Sequence, residues 1–180
     1  MKNKYKIGLD IDSVLLDTMD EFLKLMNNDL KTNFTRKNIT CYNFNTKLGI
    51  SRNEMVSYFK KIDYKKITLM DENIPTILNE WKNKGYKIDL ITNTVGNINV
   101  IVNKLYELGI NYNVLYHLKG SKKELSSTYD VFVDDSVKHL EECLSLKGNP
   151  ICFDQPWNQE WDGARVFNFK QLEKIIEEGY

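Results

Sequence analysis

The sequence shows no surplus of charge of either sign. Its 180 residues contain 25 Lys and Arg against 25 Asp and Glu, which gives a formal net charge of +0. Proteins that bind nucleic-acid polymers usually carry a basic excess on one face. The balance of charge, together with the lack of a P-loop lysine motif, therefore argues against a nucleic-acid polymer as the partner.

Cysteine is scarce, and long apolar runs are missing. Cys41, Cys143 and Cys152 are scattered and form no Cys-x-x-Cys pair. This spacing favours reduced thiols in a cytosolic protein over disulfides or a metal site. Only a short apolar run follows the basic residues 1–6, so we expect neither a signal peptide nor a membrane span. We therefore expect a cytoplasmic monomer or homodimer without a membrane partner.

Apolar residues alternate between strand-like and helix-like spacing along most of the chain. The predicted strands are an apolar segment that begins at Lys6 and precedes Asp10, followed by 86–92, 114–116, 130–133, 151–153 and 166–167. The predicted helices begin after Asp17 or Thr18 and cover 74–81, 98–108, 137–144 and 172–176. Strands that alternate with helices of this length predict an α/β fold, a Rossmann-like three-layer parallel sheet.

One region departs from this alternation. From about residue 31 to 69, Asn, Thr and Tyr dominate, and the apolar pieces are short. Within it, Ser51 and Glu54 fit a capping box before a helix. This segment is predicted to be a small helical insertion and not part of the sheet.

An acidic pair follows the first predicted strand. Asp10 and Asp12 are two residues apart, so they would share one side if the strand continued. Ligands of α/β proteins bind at the carboxyl ends of the strands, and buried acids there are costly without a cation or a reacting group. An isolated pair of this kind is nevertheless more typical of a turn that caps the next helix.

Further polar residues follow later strands. They are Thr92 with Asn93, the lysines Lys119, Lys122 and Lys123, and the second acidic pair Asp134 and Asp135. Each group alone is typical of a helix cap or a solvated turn. Together they supply the parts of phosphoryl transfer: a carboxylate nucleophile, an acid that protonates the leaving oxygen, carboxylates for a divalent cation, and a hydroxyl and a lysine for the phosphate oxygens.

In this order the motifs resemble those of the haloacid dehalogenase (HAD) superfamily. The run from Asp10 to Asp17 resembles its first motif, Thr92 its second, a lysine within 119–123 its third, and Asp134-Asp135 its fourth. The chain resembles the 5′(3′)-deoxyribonucleotidases and their bacterial homologues more closely. The features that resemble this family are Gly8–Asp12, the insertion after the first helix, and residues 153–158 followed by Arg165-Val166.

This resemblance implies a Rossmann-like catalytic core formed by 1–16 and 73–180, with a small helical cap at 17–72 inserted after the first strand. It also implies a Mg²⁺-dependent phosphatase that acts on nucleoside monophosphates through an aspartyl-phosphate. Asp10 would be the nucleophile, and Asp12 the general acid/base with its backbone carbonyl on the metal. Thr92 and backbone N–H groups near Asn93 would bind phosphate. Asp135 or Asp134 would complete the metal site.

Two points in this assignment stay open. Lys122 is our choice for the phosphate lysine, with Lys123 a close second and Lys119 also within reach. The resemblance implies that cap aromatics stack on the nucleobase, and Tyr42 and Phe44 are the candidates. A small cap also needs its own aromatic core, which these two residues could equally supply. The aromatic side chains of the loop 154–163 are expected to pack under that long loop. The alternative is that they form a wall of the site.

Two other functions fit the same residues. The core could act on another small phosphomonoester, such as a sugar phosphate, or it could be a catalytically idle phosphate-binding domain.

Overall fold

A sheet of six parallel strands forms the centre of the molecule, in the order β3-β2-β1-β4-β5-β6. The computed structural model describes residues 5–179, without the side chain of Lys123. The strands are β1 Lys6–Leu9, β2 Lys87–Thr92, β3 Val114–His117, β4 Val131–Asp134, β5 Pro150–Phe153 and β6 Arg165–Val166. Every neighbouring pair is parallel, which confirms the predicted α/β fold.

Strand β1 lies in the middle of this sheet. Its residues pair with β2 on one side and with β4 on the other, and Ile7 and Leu9 are fully buried. The chain crosses from one side of β1 to the other, which creates a switch point where α/β proteins bind ligands. Asp10 follows directly at this point, and its N–H donates to the carbonyl of Val133 at 2.9 Å.

Helices connect the strands as the apolar spacing predicts. They are α1 Thr18–Leu30, α2 Arg52–Lys60, α3 Ile74–Asn83, α4 Ile98–Glu107, α5 Lys123–Ser126, α6 Val137–Ser145 and α7 Phe169–Glu178, with 3-10 helices at Arg36–Asn38 and Tyr64–Lys66. Asp17 caps α1 by accepting a hydrogen bond from the N–H of Asp20. The capping box of Ser51 and Glu54 at α2 is also present, since both of its hydrogen bonds form.

Several boundaries differ from the sequence prediction. The first strand ends at Leu9, and Asp12 lies in an isolated bridge with Leu16, so the strand does not continue through the two acids. Strand β4 is shifted by one residue, so that Asp134 is its last member. Pro150, predicted to follow a helix as a stop, is the first residue of β5, a position where its missing N–H is tolerated. Phe167, predicted in the last strand, lies beyond β6 and is exposed.

The segment 17–72, called the cap segment below, contributes helices and no strand to the six-stranded sheet. Its two connections to the rest of the chain pair with each other, because Asp17 N–H donates to the carbonyl of Thr68 and Met70 N–H to that of Leu15, both at 2.9 Å. The division of the chain into core and cap at 16/17 and 72/73 stays a prediction.

Phe22 on α1 organises the interior of the cap segment. Its ring stacks on Phe59 at 4.5 Å between centroids and meets the edges of Phe44 and Tyr58. Aromatic pairs of this geometry add stabilisation beyond their buried area. These rings belong to the same hydrophobic cluster as the buried residues of β1, so the cap segment packs continuously with the sheet.

None of the helices described within residues 5–179 combines the length and apolar character needed to cross a membrane.

Candidate active site

The ends of β1 and β4 bring three carboxylates together. Oxygen atoms of Asp10, Asp134 and Asp135 all lie within 4.8 Å of one another, and all three residues are buried. We call these three residues the carboxylate cluster. The structure thus brings together acids that are far apart in the sequence, as the strand-end pattern predicted.

Lys122 lies inside the carboxylate cluster. Its Nζ donates to Asp10 Oδ1 at 2.7 Å and to Asp134 Oδ2 at 2.8 Å, and only 1% of the residue is exposed. Although burial opposes it, the charges of Asp10 and Asp134 raise the pKa of Lys122, so the ammonium stays charged. Lys119 is exposed, and the side chain of Lys123 lies outside the described residues.

Asp134 is committed to contacts with its own protein. Besides Lys122, it accepts a hydrogen bond from the N–H of Ser136 at 2.8 Å, and His139 Nδ1 lies 3.2 Å from Oδ2. Burial alone would raise its pKa, but Lys122 and His139 together lower the pKa of Asp134 to about 2. This carboxylate is therefore an ionised anchor for the lysine.

Asp135 is held differently. Its Oδ2 accepts a hydrogen bond from Trp157 Nε1 at 2.8 Å, and its carbonyl accepts one from Asn158 Nδ2 at 2.9 Å. Burial, followed by the charges of Asp134 and Asp10, raises the pKa of Asp135 well above its ordinary value. Among the described residues, one side chain, that of Trp157, donates a hydrogen bond to the Asp135 carboxylate. The other lone pairs of its two oxygens can therefore bind another ligand.

The electrostatics of Asp10 are similar. Burial raises its pKa to about 7, with Asp134 and Asp12 adding to the effect and Lys122 opposing it. The pocket thus holds more carboxylates than its buried lysine neutralises. A hard divalent cation prefers carboxylate oxygens and would relieve this repulsion, so Asp10 and Asp135 fit a metal site.

Hydroxyl groups surround Asp12. Thr92 Oγ1 donates to Asp12 Oδ2 at 3.4 Å, and the hydroxyls of Thr18 and Thr94 also hydrogen-bond to this carboxylate. Burial raises the pKa of Asp12, although Lys122 and the three hydroxyls oppose the shift. A carboxyl group with a raised pKa beside a nucleophile is suited to proton transfer.

The loop after β2 places Thr92 and Asn93 differently. Thr92 is fully buried, and its Oγ1 accepts a hydrogen bond from the N–H of Thr94 at 3.0 Å. Asn93 lines the pocket, and its Nδ2 donates to the carbonyl of Gly120. Asn93 Oδ1 is buried without a partner among the described residues. The wall of the pocket on this side is therefore formed by Asn93 and Thr94, with Thr92 behind them.

The pocket has a volume of about 200 Å³ and a polar and an apolar end. The carboxylates and Lys122 form the polar end. The apolar end is lined by Met19, Tyr42, Phe44, Met55, Phe59 and Val95, all but Val95 from the cap segment. Phe44 is 5% exposed and packs against Phe22 in the hydrophobic core, whereas Tyr42 is 52% exposed. The two candidate stacking residues therefore both line the pocket, and Phe44 also packs in the core.

The sequence pattern missed two residues of the polar end. The aromatic side chains of the loop that contains Trp157 were expected to pack under that loop. Trp157 instead lines the pocket and contacts Asp135, in agreement with the alternative role as a wall of the site. His139 lies on α6, and a single histidine on a helix carries no signal that could have marked it.

One family model matches nearly the whole chain. It describes "5′ nucleotidase, deoxy (Pyrimidine), cytosolic type C protein" and covers residues 4–178. The chain belongs to this family. It is similar to a 5′(3′)-deoxyribonucleotidase from Bacillus subtilis (strain 168), with 24% identity over 96% of this chain and 99% of that protein.

Solved structures show the same fold. The haloacid dehalogenase-like family hydrolase SP0104 from Streptococcus pneumoniae has a TM-score of 0.66 and 12% identity, over 99% of this chain and 100% of that one. YfnB from Bacillus subtilis, described as a HAD-hydrolase and bound to magnesium, has a TM-score of 0.59 and 13% identity, over 97% and 100%. Together with its family, this HAD-like fold makes the chain a phosphatase of the nucleotidase type.

The contacts of Lys122 predict a large effect of its removal on stability. We expect Lys122→Met to lower the free energy of unfolding by about 3–5 kcal/mol, because two buried carboxylates lose their counter-charge. Lys119→Met, which removes an exposed lysine, should change it by less than about 0.5 kcal/mol. Urea denaturation in the presence of EDTA measures both values. Equal stability of the two variants would contradict the assignment of Lys122 to the cluster.

Proposed function

We propose that the protein hydrolyses nucleoside monophosphates in a Mg²⁺-dependent reaction that passes through a phosphorylated Asp10. The main observation behind this proposal is the position of Asp10. Its Oδ1 lies 2.7 Å from Lys122 Nζ, and Asp10 is also a member of the carboxylate cluster. The same pocket is also lined by apolar and aromatic side chains, which suit contact with a planar base. The similarity to a deoxyribonucleotidase along 96% of the chain supports a nucleotide as the substrate.

Asp10 is the proposed nucleophile. A carboxylate oxygen attacks phosphorus, the bond to the leaving oxygen breaks, and an aspartyl-phosphate results. Lys122 keeps the attacking group in place, since its Nζ bridges Asp10 to the anchored Asp134. Its positive charge also reduces the repulsion between the nucleophile and the phosphate dianion.

Asp12 is the proposed general acid and base. Its raised pKa favours a proton on the carboxyl group, which protonates the leaving oxygen in the first step. The resulting carboxylate then accepts a proton from the water that hydrolyses the aspartyl-phosphate. The hydroxyls of Thr92, Thr18 and Thr94 hold this carboxyl group in one orientation.

Mg²⁺ is the proposed metal, held by the carboxylates of Asp10 and Asp135 and the backbone carbonyl of Asp12. When bound, such a cation neutralises negative charge on the phosphate and the nucleophile. Asp134 is a weaker candidate as ligand, because Lys122, His139 and the N–H of Ser136 already occupy its oxygens.

The remaining polar wall is proposed to bind the phosphate oxygens. Lys122 supplies charge, and the backbone around Asn93 supplies N–H groups, with Thr92 fixing the loop. At the other end, the rings of Tyr42 and Phe44 would contact the nucleobase. Tyr42 is the more available of the two, since Phe44 is packed against Phe22.

We propose a cytoplasmic location on the basis of the cysteines. Cys41, Cys143 and Cys152 are all free thiols in the structure, and Cys143 and Cys152 are buried. Free thiols persist in a reducing compartment.

A substrate panel tests the proposed function directly. We expect phosphate release from nucleoside monophosphates in the presence of Mg²⁺, and none in EDTA. Sugar phosphates should react at least tenfold more slowly in kcat/KM, because they lack a planar base for the apolar end. Similar rates for both classes would favour a general phosphomonoesterase, and no hydrolysis of any aryl or nucleoside phosphate would favour the idle domain.

Replacement of the nucleophile tests the mechanism. Asp10→Asn should lower kcat by about 10³-fold or more, because the attacking carboxylate, which is also a proposed metal ligand, is lost, while the protein stays folded and retains its affinity for inorganic phosphate. Phosphate-release kinetics and calorimetry measure the two effects. Asp162→Asn, a change of the same type at an exposed position, serves as control. Substantial residual turnover in Asp10→Asn would mean that another group attacks.

The two neighbouring acids should respond differently to the same change. Asp135→Asn should weaken Mg²⁺ binding at least about tenfold and leave the stability of the metal-free protein close to wild type. Asp134→Asn should lower the free energy of unfolding by about 3 kcal/mol, because Lys122 and His139 lose a buried charged partner. Calorimetry with Mg²⁺ and urea denaturation separate the two; a reversed pattern would exchange their roles.

A further inference from the structure

Arg36 extends from the cap segment to the loop that follows β5. Its Nη2 contacts Asp17 Oδ1 and lies 3.5 Å from Asp20 Oδ1, both at the start of α1. Its Nη1 donates to Gln155 Oε1 at 2.8 Å, across 119 positions of sequence. The two edges of one guanidinium therefore hold two separate parts of the molecule.

The same guanidinium lies against Trp157. Its central carbon is 5.9 Å from the centroid of the indole ring, within the range of a cation–π contact. Trp157 is 2% exposed, and its Nε1 donates to Asp135 Oδ2 at 2.8 Å. One face of this ring is thus covered by a cap residue, while its edge orients the acid proposed to hold the metal.

Gln155 extends this connection to the loop of Asp12. It is 2% exposed, and its Nε2 donates to the carbonyl of Ser13 at 2.8 Å. Ser13 has a φ of 62°, a left-handed conformation that is unfavourable for a residue with a side chain. The contact with Gln155 stabilises this turn directly after Asp12, and Arg36 holds the other end of the Gln155 amide.

We propose that Arg36 is a positioning residue for the metal site: it fixes the loop of Gln155 and Trp157 against the cap segment, so that Trp157 holds Asp135 in its ligating orientation. This inference rests on the proposed function, because Asp135 is taken there as a metal ligand. Arg36 itself lines neither end of the pocket. It acts through Trp157.

The shape of the arginine side chain is required for this role. Its planar fork presents separate N–H groups to Asp17 and to Gln155, while its face lies on the indole ring. A lysine would keep the charge beside Asp17 and Asp20, but a single ammonium group cannot match this geometry. Arg36→Lys should therefore retain the ion pair within the cap segment and lose the connection to the loop.

Calorimetric titration of the whole protein with Mg²⁺ alone tests the proposal. Arg36→Met should raise the Kd for Mg²⁺ about tenfold, and Arg36→Lys at least about threefold, in line with residues that orient a metal ligand. At saturating Mg²⁺, kcat should change by less than about threefold, since the nucleophile and the acid are untouched. Lys37→Met, on the exposed neighbour in the same 3-10 helix, should leave the Kd unchanged.

A double-mutant cycle separates positioning from a general loss of structure. In a Trp157→Phe background, which lacks the indole N–H, Arg36→Met should change the Kd for Mg²⁺ by less than about twofold, because the route to Asp135 is already interrupted. A full tenfold effect in that background would overturn the proposal. So would a wild-type Kd in Arg36→Lys and Arg36→Met proteins whose thermal unfolding shows them to be folded.

Failure of this inference and failure of the proposed function give different results. Should the wild-type protein neither bind Mg²⁺ nor release phosphate, the proposed function itself is wrong. When the wild-type protein is active with Mg²⁺ and the Arg36 variants match it in Kd, the positioning role alone is wrong.

Discussion

The repulsion among buried carboxylates at the end of β1 is the constraint on which the rest of the site depends. Burial raises the pKa of Asp10, Asp12 and Asp135, so each of these groups would be protonated unless positive charge lies close to it. Lys122 supplies part of this positive charge, because its ammonium group forms ion pairs with both Asp10 and Asp134. The remaining negative charge is what favours a cation, and with it an ionised nucleophile at neutral pH. Under the proposed function, a bound divalent cation would relieve this unfavourable interaction.

The order of the strands makes this concentration of charge possible. Because β1 lies between β2 and β4, the residues that follow these three strands meet at one edge of the sheet. Lys122 then enters from the connection between β3 and β4, where Ser126 N–H donates to its carbonyl and fixes its backbone. No single segment of the chain contains enough of these groups for chemistry. The parallel sheet assembles them, and it does so through backbone hydrogen bonds that do not depend on the charges.

Local signals predicted most of the fold and part of the site. The capping box of Ser51 and Glu54 acts within a few residues and could be recognised in the sequence. The two acids of the second pair were not separable, because their difference depends on which of them ends β4 and meets Lys122. The contacts of Arg36 with Gln155 and of Trp157 with Asp135 could not be predicted for a similar reason. The partners lie far apart in the chain, and no spacing rule connects them.

The two ends of the pocket come from different parts of the chain, and this has a consequence for specificity. Residues outside the cap segment contribute the carboxylates and Lys122 to the pocket, whereas the cap segment contributes most of its apolar side chains. Under the proposed function, changes in the cap segment would therefore alter the accepted leaving group without altering the chemistry, provided that the two parts keep their relative position. Arg36 contacts both parts, since it binds Asp17 in the cap segment and Gln155 in the loop after β5. In its proposed positioning role, Arg36 would couple the apolar side of the pocket to the metal ligands, because substrate binding and catalysis would require the same alignment of the two parts.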